Sequence, residues 1–241
     1  MKLYLVRHAE PDYVLDSLTE KGFREAELLA ATLARVPAAA YYVSPKGRAK
    51  ATAEPTLRAV NRTAEEHWWL REFDVPIMRP DRVEPSVVPW DWVPADWTAE
   101  PRFFDAQKWR EPEVMKDVGP AYDEVCAGLD ELLLKHGYRR EGKLYRAERP
   151  NHDTLVMFCH FGVGCVLLSH LLNVSPMVLW HGLCAAPSSV TKVATEERRP
   201  GIASFRVMEY GDVSHLYRAG EEPSFMARFR ECYTDENDRK D

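Results

Sequence analysis

The sequence predicts an α/β fold with three layers, α/β/α, in which helices cover both faces of a mostly parallel central sheet. The alternation of two kinds of segment carries this prediction. Short apolar segments of strand length alternate with segments whose apolar residues recur at helical spacing, which is typical of α/β domains. The stretch 75–119 differs, because it mixes prolines and tryptophans without a persistent period. We therefore expect a single domain over 1–241 with an irregular Trp/Pro-rich insertion at 75–119.

The composition indicates a folded protein without a nucleic-acid or membrane partner. Hydrophobic residues make up 45% of the chain and charged residues 29%, which excludes wholesale disorder. Lys and Arg number 32 against 38 Asp and Glu, a net charge of −6, whereas nonspecific nucleic-acid binding depends on a basic surface. No apolar run approaches the roughly 20 residues of a membrane span. Nothing in the composition predicts the oligomeric state.

The five cysteines predict a reducing compartment. Their number is odd, and no two of them are spaced as CxxC. The apolar segment at 3–6 is too short for the core of a signal peptide. Cysteines in such a setting are typically reduced thiols. We expect a cytoplasmic protein in which Cys159 and Cys165 serve as small core residues.

Strands and helices alternate in the first part of the chain. The expected strands are 2–6, 39–43 and 65–70, and the expected helices are 19–35 and 45–60. Thr19 suits the N-cap of the first helix. The apolar residues of that helix recur on one face, namely Phe23, Ala26, Ala30 and Leu33. Pro55 is expected to bend or restart the second helix, because a proline in a helix interior removes a hydrogen bond.

Regular patterns return after the insertion. The expected helices are 120–136 and 163–172, and the expected strands are 154–159, 188–194 and 202–210. Pro120 suits the first turn of its helix, and Gly137 suits the position after its end. The helix at 163–172 is apolar on nearly all sides, which predicts burial. The charged residues 233–241 are expected to fray.

The insertion carries the clue to specificity. Disordered segments are poor in aromatic residues, so we expect 75–119 to be ordered and to pack its tryptophans. Its tryptophans either form a separate hydrophobic subcore or cap a binding pocket. In the second case Trp90 and Trp92 are candidate substrate contacts, because aromatic rings stack on flat groups.

Two apolar strands each run into a histidine. The first strand ends at Arg7-His8, and the strand 154–159 ends at His160. The carboxyl ends of parallel strands share one edge of a sheet, where open α/β sheets bind ligands. Arg48 follows the second strand in the first turn of a helix, so it points to the same edge. Guanidinium groups and a helix N-terminus both bind phosphate. The sequence therefore predicts an anion site with a histidine at its centre that can act as a nucleophile.

Four motifs in chain order resemble those of the histidine phosphatase superfamily, the phosphoglycerate mutase-like fold. They span most of residues 1–162. The motifs are Leu5-Val6-Arg7-His8-Ala9-Glu10, Ser44-Pro45-x-x-Arg48-Ala49-x-x-Thr52-Ala53, Leu70-Arg71-Glu72-Phe73 and Cys159-His160-Phe161-Gly162. Each motif is weak alone, and their order and spacing make the resemblance specific.

The resemblance implies a role for each matched residue. His8 is the nucleophile that becomes phosphohistidine, and Arg7, Arg48 and His160 bind the phosphoryl group. Glu72 is the general acid for the leaving oxygen and then the base for water. The resemblance further implies a phosphatase that acts on a small phosphorylated molecule and needs no metal or other cofactor. That expectation agrees with the chemistry, since phosphoryl transfer depends mostly on positioning and charge neutralisation.

The chain departs from the family pattern in three places. Ala9 replaces the more common glycine of the first motif, and 11–18 lacks the Asn and Gly-Trp of phosphoglycerate mutases. The segment after Glu72 lacks the usual Gly-Trp continuation, so Glu10 and Asp74 are alternative acids. Glu10 and His181 are also candidate substrate contacts. A phosphotransferase or mutase, or a non-catalytic module that binds a phosphorylated ligand, remains the alternative to a phosphatase.

Overall fold

A central sheet with eight strands organises the computed structural model, which describes residues 1–86, 88–224, 226 and 234. The strands of the chain are β1 (Lys2–Arg7), β2 (Pro11–Asp12), β3 (Ser17–Leu18), β4 (Ala40–Val43), β5 (Glu65–Glu66), β6 (Tyr138–Glu141), β7 (Leu144–Ala147), β8 (Thr154–Cys159), β9 (Val190–Arg199) and β10 (Ile202–Asp212). The helices are α1 (Glu20–Leu33), α2 (Gly47–Val60), α3 (Pro94–Thr98), α4 (Val118–Lys135), α5 (Phe161–Leu172), α6 (Pro176–Gly182) and α7 (Ser214–Arg218). β2 and β3 pair separately as a small hairpin.

The sheet has a parallel half and an antiparallel half. Its order is β5-β4-β8-β1-β9-β10-β7-β6, and only the first four strands run parallel to one another. β1 lies between β8, with Arg7 opposite Cys159, and β9, with Lys2 opposite Ala194. The expected mostly parallel sheet is thus mixed. Tight turns join β9 to β10 and β6 to β7. Because a tight turn reverses the direction of the chain, the two strands of each pair run antiparallel.

Helices cover both faces of the sheet, which confirms the predicted three-layer α/β fold. On one face, Val6 and Val156 form a core with residues of α1 and α2. On the other face, Leu3 and Met157 form a core with residues of α4 and α5. Successive side chains of a strand point to opposite faces, so β1 and β8 contribute to both cores.

Several elements differ in detail from their predicted form. Phe23 is 48% exposed, because Gly22 rather than Phe23 turns toward the body of the protein, where a Cβ would lie 2.2 Å from the Glu10 carbonyl oxygen. α2 continues through the buried Pro55, which costs one backbone hydrogen bond and does not end the helix. The expected strand at 65–70 is two residues long and gives way to a 3₁₀ helix at Trp68–Leu70. The predicted fraying of 233–241 falls, apart from Thr234, outside the described residues.

The segment 75–119 is irregular, as expected, and is built from α3 and short 3₁₀ helices. Trp109 anchors it and is 1% exposed. The ring of Trp109 lies 5.0 Å from the ring of Tyr122 on α4 and 6.2 Å from that of Trp180 on α6. The segment therefore packs on the helices of one face of the sheet.

Cys159 and Cys165 are free thiols and are buried in the core as predicted. Burial raises the pKa of Cys159 to about 12, so its thiol is protonated at neutral pH. Within the described ranges no helix is both long and apolar enough to span a membrane.

Candidate active site

The carboxyl ends of β1 and β8 bring His8 and His160 together. The two strands are parallel and in register, so the residue after each strand falls at the same edge. The ring centroids are 5.0 Å apart with an interplanar angle of 58°, and each side chain is 1% exposed. The predicted convergence of the two histidines is therefore present.

His8 is held in one tautomer. Its Nδ1–H donates to the Ala9 carbonyl oxygen at 2.8 Å, which leaves the lone pair on Nε2. Burial, together with the positive charges of Arg7 and Arg48, holds the pKa of His8 well below its ordinary value. The imidazole is thus neutral at neutral pH and carries its lone pair on the nitrogen away from the backbone.

His160 is fixed by a side chain of the second motif. Ser44 Oγ lies 2.7 Å from His160 Nε2, and both side chains are buried. Nδ1 of His160 is buried and has no hydrogen-bond partner among the described residues. Burial, His8 and the two arginines hold the pKa of His160 well below its ordinary value. An unpartnered polar atom in such a setting is suited to a ligand oxygen.

Arg7 is buried beside the two histidines. Its Nη1 donates to the Ala185 carbonyl oxygen, and its guanidinium carbon lies 5.7 Å from the centre of the Phe161 ring. Nε of Arg7 is buried without a hydrogen-bond partner in the described part of the chain. The guanidinium is therefore anchored at one nitrogen and has donor capacity left for an anion.

Arg48 enters from the first turn of α2. Its Nη1 donates to Asp16 Oδ1 at 2.6 Å, and Asp16 Oδ2 accepts from the Gly47 N–H at 2.7 Å. Tyr13 covers the guanidinium, with its ring centre 5.4 Å from the guanidinium carbon. Nε of Arg48 is buried and lacks a partner among the described residues. The loop that carries Asp16 thus orients Arg48 without satisfying all its donors.

Glu72 lies at the N-terminus of α5. Its Oε1 accepts from the Phe73 N–H at 2.9 Å and from the Val163 N–H at 3.2 Å. A Cβ on Gly162 would lie 2.7 Å from this oxygen, so only glycine permits the approach. Burial raises the pKa of Glu72, and the Phe73 N–H and the charges of Arg7 and Arg48 reduce that rise. The carboxyl group is poised to hold a proton within reach of the cationic cluster.

The two alternative acids are engaged elsewhere. Glu10 accepts hydrogen bonds from the hydroxyls of Thr19, at 2.8 Å, and Ser224, one at each carboxylate oxygen. Asp74 is 46% exposed and lies 3.6 Å from Lys46 Nζ. Neither has the buried position of Glu72 beside the arginines.

The aromatic candidates divide into two groups. Trp90 lies at the site, since its ring contacts Phe161 at 5.4 Å and its Nε1 lies 2.7 Å from the point that a Cβ on Gly162 would occupy. Trp92 is 7% exposed and donates through Nε1 to a carbonyl of its own segment. His181 donates from Nδ1 to the Met177 carbonyl oxygen and accepts the Trp92 N–H at Nε2. Both ring nitrogens of His181 are therefore used, Nδ1 within α6 and Nε2 to hold the insertion on that helix.

The site also contains residues to which the sequence assigned no role. Ser44 and Thr52 stand in the second motif, and their spacing alone does not reveal what their hydroxyls contact. Asp16 lies in a loop without periodicity, so no pattern identifies it as the partner of Arg48. Glu25 was recognisable only as an acidic residue on the buried face of α1.

A family model described as histidine phosphatase superfamily (branch 1) matches residues 3–207. No curated protein matches the chain at a significant level.

Solved structures share the fold over nearly their whole length. A phosphoserine phosphatase from Entamoeba histolytica, in complex with phosphoserine, has a TM-score of 0.58 at 18% identity, with 89% of this chain and 98% of that chain covered. A mycobacterial glucosyl-3-phosphoglycerate phosphatase has a TM-score of 0.58 at 16% identity, with 87% and 98% covered. Bacillus stearothermophilus YhfR has a TM-score of 0.56 at 24% identity, with 89% and 98% covered. At these identities the likeness concerns the fold.

Proposed function

Because the chain belongs to branch 1 of the histidine phosphatase superfamily, we propose that it is a metal-independent phosphatase that hydrolyses a small phosphomonoester through a phosphohistidine. One observation above all supports this function. His8 is neutral, carries its lone pair on Nε2, and is surrounded by the donors of Arg7, Arg48 and His160. A nucleophile inside a cluster of anion-binding donors is what phosphoryl transfer requires.

In the first step His8 Nε2 attacks the phosphorus atom of the monoester. The N–P bond forms as the bond between phosphorus and the leaving oxygen breaks. Glu72, whose pKa is raised by burial, gives its proton to that oxygen. The products are the free alcohol, phosphohistidine and the Glu72 carboxylate.

In the second step water attacks the phosphohistidine. Glu72 takes a proton from the water as the new O–P bond forms, and the N–P bond breaks. Inorganic phosphate leaves, His8 is again neutral, and Glu72 is again protonated. Atoms and protons balance over the cycle without a further reactant.

Three cationic or donor groups offset the charge of the transferred phosphoryl group. Arg7 and Arg48 supply two positive charges, and His160 Nδ1 supplies a further polar contact. Guanidinium groups bind phosphate oxygens in a fixed, planar geometry. Since these side chains provide the charge that a metal ion supplies in other phosphatases, we expect activity in the presence of a chelator.

The segment 75–119 is, in this proposal, a cap within a single domain of residues 1–241. Trp90 supports this role, because it connects the insertion to Phe161 and Gly162 beside Glu72. Two phosphatases of the same fold are named for phosphoserine and glucosyl-3-phosphoglycerate, and we extend the class of small phosphorylated molecules to this chain. A cytoplasmic location, expected from the free thiols, belongs to the same proposal.

Two assays with the purified protein test this function. We expect steady release of phosphate from p-nitrophenyl phosphate in the presence of EDTA. We also expect no conversion of 3-phosphoglycerate to 2-phosphoglycerate by ³¹P NMR, because a mutase retains the phosphoryl group and excludes water. Isomerisation that outpaces phosphate release would instead assign a mutase. Binding of phosphate without either reaction would assign a non-catalytic module.

Arg48→Ala is expected to weaken phosphate binding by about 10- to 100-fold and also to lower kcat. The removed charge-assisted hydrogen bonds contribute to both the bound substrate and the transition state. The product-inhibition constant of inorganic phosphate measures the binding loss. Arg58→Ala is the matched control, since Arg58 lies on the same helix but is exposed and pairs with Glu27 and Glu54. Equal inhibition constants for the two variants would remove Arg48 from the phosphate site.

A further inference from the structure

The peptide group between Ala9 and Glu10 lies between the nucleophile and a buried carboxyl. Its carbonyl oxygen accepts the His8 Nδ1–H at 2.8 Å. Its N–H donates to Glu25 Oε2 on α1 at 2.9 Å. The Ala9 N–H is held in turn by Thr52 Oγ1 at 2.9 Å. A continuous chain of hydrogen bonds therefore runs from Glu25, through one peptide group, to the imidazole of His8.

We propose that Glu25 is a positioning residue for the nucleophile and that its carboxylate raises the reactivity of His8 Nε2 through the Ala9–Glu10 peptide. The proposal rests on the proposed function, because it takes His8 as the nucleophile. Glu25 does not touch the reacting atoms. It acts by orienting and polarising the peptide group that binds the other nitrogen of the His8 ring.

The effect follows from how hydrogen bonds in series behave. A negative charge on Glu25 strengthens its bond with the Glu10 N–H, because charge-assisted hydrogen bonds are stronger than neutral ones. The polarised peptide then places more negative charge on the Ala9 carbonyl oxygen. A stronger acceptor at Nδ1–H makes the imidazole more electron-rich and stabilises the positive charge that develops on the ring during attack. The structure thus links a carboxylate to a histidine with one peptide group interposed.

Glu25 has the burial and neighbours to change its charge near neutral pH. Its side chain is fully buried, and burial raises its pKa to about 7. The charge of Glu10, from the loop after β1, adds to this rise. The Glu10 N–H, Lys21 on α1 and the Ser224 N–H from the C-terminal segment counter it. The chain of hydrogen bonds is therefore in its charged, activating form on the alkaline side of neutrality.

If Glu25 had a purely structural role, Glu25→Gln would lose activity only under conditions in which it also lost stability. A carboxyl whose pKa is raised by folding stabilises the fold in its neutral form. That stabilisation is lost as the pH rises from the ordinary pKa of the carboxyl to its raised pKa of about 7. Glu25→Gln keeps an oxygen for the Glu10 N–H and removes the buried charge. The variant should therefore be at least as stable as the wild type at pH 8.5, even while it is less active.

The test compares Glu25→Gln with the wild type and with Glu20→Gln. Glu20 lies on the same helix, and its side chain is 95% exposed, so its variant is the matched control for loss of a carboxylate. The ratio of wild-type to Glu25→Gln kcat/KM is measured from pH 5.5 to 8.5 with p-nitrophenyl phosphate. Other ionisations are common to both proteins and cancel in the ratio. We expect the ratio to rise from near one to roughly tenfold with a midpoint about pH 7, and the Glu20→Gln ratio to stay near one.

Two further measurements separate the possible failures. The ¹⁵N chemical shifts of the His8 ring should show a step at the same midpoint in the wild type and none in Glu25→Gln, whose Tm at pH 8.5 should not fall. Any of three results overturns the role of Glu25. These are an activity ratio that does not change with pH, a ¹⁵N step of His8 that is the same in Glu25→Gln as in the wild type, and a loss of activity that follows a lowered Tm. Where His8→Ala is inactive, such a result leaves the proposed phosphatase standing. Turnover that survives His8→Ala overturns both proposals.

Discussion

His8→Ala is expected to lower the turnover of p-nitrophenyl phosphate by about 10⁴- to 10⁶-fold, which is the size of loss seen when a covalent nucleophile is removed. No described neighbour can replace it. Ser44 holds Nε2 of His160, whose Nδ1 contacts the phosphoryl group in the proposed function, and a guanidinium group has no lone pair suited to attack on phosphorus. Initial rates with EDTA, compared at equal protein concentration, measure the loss.

A binding assay shows whether this loss is chemical. Arg7, Arg48 and His160 remain in the variant, so inorganic phosphate should still bind with a constant within about threefold of the wild type. His152→Ala is the matched control, because His152 is exposed and precedes β8, at the opposite end of that strand from His160. The nucleophile would have to be sought elsewhere if His8→Ala kept more than one hundredth of the wild-type rate.

Glu72→Gln is expected to lower kcat/KM for an alkyl phosphate by about 10²- to 10⁴-fold and to change kcat/KM for p-nitrophenyl phosphate only slightly. A poor leaving oxygen needs a proton as its bond to phosphorus breaks, and an activated one does not. The constant kcat/KM reports events through formation of the phosphohistidine, so it separates this step from the later attack of water. Asp74→Asn tests the alternative acid, and kcat/KM for both substrates should be unchanged in this variant.

The pH dependence of Glu72→Gln provides a second test. The acid form of Glu72 is required, and its pKa is raised, so wild-type activity on alkyl phosphates should fall as the pH rises through that pKa. Burial lowers the pKa of His8, and loss of a proton from this nucleophile would raise the activity rather than lower it. The falling limb should be absent in the Gln variant. Equal losses on both substrate types would show that Glu72 is not the acid.

The cluster of Arg7, His8, Arg48 and His160 was predictable from the sequence. Arg7 ends an apolar strand and each histidine follows one, and Arg48 lies in the first turn of the helix after β4. Strand ends in a parallel sheet are geometrically constrained, and both β1 and β8 have unmistakable apolar patterns. Glu72 was less secure, since it follows a 3₁₀ helix rather than a strand, and its position depends on the close approach of Gly162. The structure gives this carboxyl two backbone donors that no local pattern predicts.

Contacts between distant segments account for what the sequence left open. The Asp16–Arg48 pair joins a short loop to α2, and the sequence around either residue does not identify its partner. Glu25 lies three residues after Gly22 and four before Leu29, so helical periodicity places it on the buried face, but its partner is a backbone N–H in another segment. In the antiparallel half of the sheet, β9 and β10 were expected as strands, whereas β6 and β7 were not, because many of their residues are charged and show no apolar strand pattern.

The position of β1 in the sheet has a consequence for synthesis of the chain. β1 leaves the ribosome before every other strand of this sheet, yet both of its neighbours, β8 and β9, come after residue 153. The strand that carries Arg7 and precedes His8 must therefore wait, with both edges unpaired, until most of the chain has been translated. Pairing over such sequence separations slows folding and exposes strand edges to other chains. A nascent chain that stops before β9 lacks one neighbour of its nucleophile-bearing strand, which makes the complete site a late product of folding.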